Sequence, residues 1–172
     1  MDKPWANLAS RVVRILLARK GLKTGDVPAL LKGDGEKNLE IDAQALSELI
    51  AKERIDLELF LRILLAIGDA VPSRWVQFTT NRKSDWKSLG ASIVAEEVRN
   101  YPSASSDDIA QRMASMHRGA SAATWRAKIT EGDLSLGEFM LLLNEVGSTS
   151  LAQYLDWDDV VAAAQVTRKM MD

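Results

Sequence analysis

Trp5-Ala-Asn-Leu8-Ala-Ser-Arg-Val12-Val13 returns later in the chain as Trp86-Lys-Ser-Leu89-Gly-Ala-Ser-Ile93-Val94. Further on, Ile50, Leu57, Phe60, Leu64 and Gly68 are matched by Ile129, Leu136, Phe139, Leu143 and Gly147. The two blocks are out of step by two residues. The elements therefore repeat, and only a loop between them changes length. A pattern this long is a duplicated small unit, running from Trp5 to Gly68 and again from Trp86 to Gly147. Each unit is at the size where one core is marginal, so the copies are expected to pack on each other or on the C-terminal segment.

Within each unit the periodicity is helical and the fold class is all-α. Trp5, Leu8, Val12, Ile15 and Leu16 share a helical face, and Gly21 ends that helix. Asp26 is placed to cap a short second helix that takes Pro28 in its first turn and stops at Lys32-Gly33. A third helix runs near Asp42 to Glu53. A fourth runs from Asp56 to Ile67 and is stopped by Gly68. The second copy repeats the order: Trp86 to Asn100, a helix capped at Ser105 to Asp108, one from Ser121 to Gly132, and one from Ser135 to Val146. A further helix begins at Trp157-Asp158-Asp159 and ends near Arg168-Lys169, with its charges matched to the helix dipole. The expected organisation is a first unit over 1–70, a linker over 71–85, a second unit over 86–155 and a C-terminal helix over 156–172. Trp75 and Phe78 of the linker are expected to dock onto the first copy.

Composition narrows the function. The 172 residues are 47% hydrophobic, hold no cysteine and carry a formal net charge of −2. No disulfide or thiolate metal site is possible, which suits a reducing cytoplasm. No leader is expected at Met-Asp-Lys-Pro-Trp, and the greasiest stretch, Leu57 to Ile67, is too short and too charged to span a bilayer. A near-neutral, slightly acidic chain does not coat nucleic acid by bulk charge, so any such contact needs a local basic face.

Ile129-Thr-Glu-Gly132, the run from Phe139 to Leu143 and the following Gly147 complete a four-helix pattern. It resembles the Cro/C1 (lambda-repressor-like) helix-turn-helix domains, here in tandem. The opening Trp-x-x-Leu-x-x-x-Val/Ile is also similar to an uncharacterised bacterial domain family built on that arrangement. The resemblance covers most of 5–68 and 86–147. It implies that the second and third helices of each unit form the motif, with the third entering a DNA major groove. On that reading Thr124, Arg126 and Lys128 of the second copy read bases or phosphates, with Gln44, Ser47 and Lys52 as their counterparts in the first. Asp42, Glu48 and a longer loop from Gly33 to Ile41 set the first copy apart, so the second is expected to carry most of the contact. Arg11, Arg14 and Lys23 on or beside the first helix, and Arg82, Lys83 and Lys87 around the linker, are candidates for phosphate contact.

The resemblance therefore implies a non-enzymatic, cytoplasmic bacterial or phage transcription regulator whose partner is double-stranded DNA, with no cofactor. The alternative is a protein-interaction module of the same fold, bound to RNA polymerase or to a second regulator. No membrane association is expected. The Trp157 to Met171 helix either pairs two chains as a homodimer or caps the second unit. His117, the single histidine, lacks a second ligand for zinc. Glu96-Glu97, Asp107-Asp108 and Asp158-Asp159 read as helix-start charge and solvated faces, and no Gly-rich phosphate loop is present.

Overall fold

Residues 3–32, 41–52, 54–80, 85–101, 105–116 and 120–169 are described by the computed structural model. Ten α-helices account for most of them. The first copy supplies α1 (Lys3–Arg19), α2 (Val27–Lys32), α3 (Ala43–Ala51) and α4 (Leu57–Ala66), and α5 (Val76–Thr80) follows. The second copy supplies α6 (Trp86–Arg99), α7 (Ser106–Met116), α8 (Ala122–Glu131) and α9 (Leu136–Glu145), and α10 (Trp157–Lys169) closes the chain.

Local chemistry sets the ends of these helices. Asp42, Asp56, Asp85 and Ser121 each accept a backbone N–H from the first turn of α3, α4, α6 and α8. Ser135 and Glu138 form a reciprocal box at the start of α9. Gly132 and Gly147, which follow α8 and α9, are left-handed, with φ of 69° and 64°. The next residue in each case donates back to Lys128 or Leu143, which satisfies the last carbonyls of the helix. Asp26 does not cap α2 as its sequence position suggested. It lies in a 3-10 turn, Thr24–Asp26, and its carboxylate accepts the Lys23 N–H at 2.7 Å.

The packing of these helices departs from two separate units. Within each copy the second and third helices stay together: α7 lies on α8, and α2 lies on α3. The first and third helices also stay together, α6 on α8 and α1 on α3. The Ser10 hydroxyl, on α1, donates to the Ile50 carbonyl. Each fourth helix also keeps the second helix of its own copy, α4 on α2 and α9 on α7, but the pairing of first with fourth helices is exchanged between copies. Helix α1 packs on α9, and α4 packs on α6.

The exchange is symmetric to a close approximation. Asp56 and Ser135, equivalent positions of the repeat, face each other in a single antiparallel bridge. The Leu57 N–H donates to the Leu134 carbonyl at 2.9 Å, and the Leu136 N–H to the Ile55 carbonyl at 2.8 Å. An approximate twofold axis therefore passes between the starts of α4 and α9. Trp75 and Tyr154 are a second equivalent pair. Trp75 meets Phe139 of the second copy at a tilt, with ring centroids 5.8 Å apart, and Tyr154 meets Phe60 of the first edge-on at 6.4 Å. The expectation that Trp75 docks on the first copy is thus reversed: its ring is buried against the second. The side chains of both copies form one continuous core, which includes Trp5, Phe60, Trp75, Trp125 and Phe139.

Polar contacts fasten the exchange. The Tyr154 hydroxyl donates to Asp69 at 3.2 Å, and the Arg19 guanidinium lies 5.3 Å from the Tyr154 ring centroid. Burial pushes the Asp69 carboxyl up. The Ala70 N–H, the Tyr154 hydroxyl, Arg19 and Lys20 outweigh that push and hold it below the ordinary aspartate value. Helix α10 lies on both α1 and α9, with the Trp5 indole N–H donating to the Thr167 hydroxyl at 2.8 Å. It therefore covers the exchanged helix pair and not the second copy alone. No helix among the described residues is long and apolar enough to cross a membrane.

Candidate binding interface

The resemblance places a binding face on α7 and α8. Trp125 and Ile129 turn inward, and Ala123, Thr124, Arg126, Ala127, Thr130 and Glu131 face outward. Thr124 is the third residue of the helix. Its backbone N–H donates to the Ser121 cap, and its hydroxyl lies 3.0 Å from the Ser121 hydroxyl.

Three cations on or beside this face pair with acids of the chain, whereas Arg112 of α7 is exposed. Arg126 pairs with Asp107 of α7 at 2.6 Å, with both side chains more than half exposed. Lys87 pairs with Glu131 at 3.2 Å. Lys128 does not point outward as expected. It turns back over the Trp125 ring, 5.6 Å from the centroid, and pairs at 2.6 Å with the largely buried Glu138 of α9. Asp107 and Asp108 sit in the first turn of α7, where the helix dipole favours negative charge. Asp108 is held below the ordinary aspartate value, first by the Ser105 hydroxyl and then by the Ser105 N–H.

In the first copy α3 exposes Gln44, Ser47 and Glu48, and Lys52 is exposed just past its end. Lys52 pairs with Glu48 at 2.7 Å, and the Gln44 amide donates to the same carboxylate at 3.3 Å. These two partners hold the Glu48 carboxyl below its ordinary value, the Lys52 hydrogen bond most strongly. Arg11 pairs with Asp159 of α10. Arg14 and Lys23 are exposed, and neither has an ion pair among the described residues. Arg82, Lys83 and His117 lie outside the described residues.

Two acids read as solvated are buried. Glu96 is 8% exposed and Glu97 1%. Glu97 accepts the Trp75 indole N–H at 2.6 Å and the Ser150 hydroxyl at 2.5 Å, and Arg74 approaches it at 3.4 Å. The repeat held a signal for it, because Glu97 occupies the place of Leu16 in the first copy. A charge in an apolar register has to find partners inside. Likewise, Gly90 and Gly132 were legible as glycines but not as neighbours: the Gly132 carbonyl lies 3.6 Å from where a Gly90 side chain would begin.

Among the described residues no group of three or more histidines or acids is placed to hold a metal. No protein-family model, curated protein or solved structure matches the chain.

Proposed function

We propose that the chain is a non-catalytic binding protein in which two helix-turn-helix-like units are locked into one body, and that the α7–α8 face takes a protein partner. The carrying observation is charge. Lys87, Arg126 and Lys128 are each paired with an acid of the chain itself, at 3.2, 2.6 and 2.6 Å. Phosphate binding gains its strength from counterions released by net positive charge. A phosphate approaching Arg126 meets the Asp107 carboxylate at the same place. The outer face of α8 between these pairs is built of Ala123, Thr124, Ala127 and Thr130, small residues that a partner's surface can approach closely.

Duplex DNA is the second reading, favoured by the packing of α7 on α8 with the outer face of α8 left open. Exposed ion pairs are weak, so a strong phosphate site would displace them at a cost of about 1 kcal/mol or less each.

Fluorescence anisotropy with a mixed-sequence duplex at low salt separates the two. Protein recognition predicts no saturable binding. Binding whose affinity falls linearly with log salt, and rises when Asp107→Asn frees Arg126, establishes the DNA reading instead. A photo-crosslinking residue at Ala127 supplies the positive arm. Crosslinks made in cells are expected on protein and to survive nuclease.

A further inference from the structure

Helices α1 and α10 lie side by side and leave an open groove between them. Trp5 meets Thr167 at one end and Arg11 meets Asp159 at the other, so the two helices are antiparallel. The groove, of about 270 Å³, is lined from α1 by Pro4, Leu8 and Arg11 and from α10 by Asp159, Ala162 and Val166. Each set is one helical stripe, spaced for a partner helix. Val166 is 41% exposed on its wall, an apolar side chain with nothing over it among the described residues.

We propose that this groove is the face through which two copies of the chain associate. The rim argues for a second copy over any other occupant. Among the described residues lining it there is one cation and one carboxylate, Arg11 and Asp159, which is a self-complementary pattern. A twofold axis running along the groove sets Arg11 of each chain against Asp159 of the other. It also sets α1 of one chain over α10 of its partner. Because the axis is parallel to the helices, that new neighbour is antiparallel too. The contact between chains then repeats the contact within each chain, and the four helices close into an antiparallel bundle around Leu8, Ala162 and Val166. The intrachain pair is weak, since Arg11 and Asp159 are each about half exposed (52% and 43%), so exchanging it for the interchain pair costs little.

Light scattering on the full chain tests this through charge reversal. The native protein is expected at twice the chain mass. Arg11→Asp and Asp159→Arg alone are each expected at the monomer mass, because each sets like charges together on both sides of the axis. An equimolar mixture of the two is expected to return to the dimer mass, since only mixed pairs restore attraction between chains. The mixture repairs nothing within either chain, so recovery cannot come from a structural role of the pair. Val166→Asp, on an exposed wall, is expected at the monomer mass with its helix content unchanged. A monomeric native protein, dimeric single variants or a mixture that stays monomeric overturns the proposal.

Discussion

Replacing Gly132 with alanine is expected to destabilise the protein by about 3–5 kcal/mol, a large part of the stability of a domain. Two costs combine. Gly132 is left-handed, with φ of 69°, a conformation that costs an L-residue about 1–2 kcal/mol. A methyl group there would also sit 2.7 Å from the Gly90 carbonyl carbon and the Ala91 Cα, and nearer still to the Ala91 nitrogen. These are backbone atoms of α6 and cannot rotate away, so α8 must separate from α6. Gly147 provides the control. Its φ is 64°, but the nearest atom to an added methyl is a Tyr101 ring carbon at 4.0 Å. Gly147→Ala carries only the conformational cost, about 1–2 kcal/mol. Urea denaturation of the two variants checks the difference; equal midpoints would show that α6 and α8 do not approach so closely.

Removal of Trp75 is the other large effect. Trp75→Ala is expected to cost about 4 kcal/mol or more, from the emptied volume and from the loss of its partner's hydrogen bond. The ring is fully buried against Phe139, and its N–H is the shorter of the two side-chain nitrogen contacts to Glu97, 2.6 Å against 3.4 Å from Arg74. Trp75→Phe keeps most of the volume and leaves the Glu97 carboxylate with Ser150 and Arg74. It is expected to cost about 1–3 kcal/mol. Glu97→Leu added to Trp75→Phe restores the apolar residue that Leu16 supplies in the first copy. The pair is expected to be more stable than Trp75→Phe alone, apart from the Ser150 hydroxyl it leaves. Urea midpoints of the three variants check the series. Trp75→Ala within about 1 kcal/mol of the native protein would mean that the ring does not occupy the second copy.

The helices were legible because their signals are local. Apolar residues at helical spacing mark the inward faces, and Asp56, Ser121, Ser135, Gly132 and Gly147 mark ends through hydrogen bonds within one turn. The exchange of first and fourth helices was not legible, for a physical reason. Phe60 and Phe139, or Leu64 and Leu143, are identical residues at equivalent positions. An apolar α1 face is satisfied by either fourth helix, so composition does not choose between them. The same equivalence leaves either copy open to Trp75, whose match with Tyr154 extends the repeat past Gly68.

The face proposed for binding was legible only as residue types. Arg126 and Lys128 were visible as cations on the third helix, and Lys87 as one beside the linker. Their acids come from elsewhere: Asp107 from α7, Glu138 from α9 and Glu131 from the far end of α8. Pairing across helices depends on how those helices are set against each other, which periodicity does not encode. The duplication thus yields one body with two like motifs and unlike surfaces.

Whether the two copies share one core is tested most directly by equilibrium urea unfolding of the full chain. It should be followed by tryptophan fluorescence and by far-ultraviolet circular dichroism, with one destabilising change in each copy. Leu46→Ala on α3 and Gly132→Ala after α8 serve as those changes. Exchanged helices predict a single transition, coincident by both probes, whose whole amplitude shifts to lower urea with either substitution. Two transitions, or a substitution that moves only part of the amplitude, would contradict the exchange and return the copies to independent units.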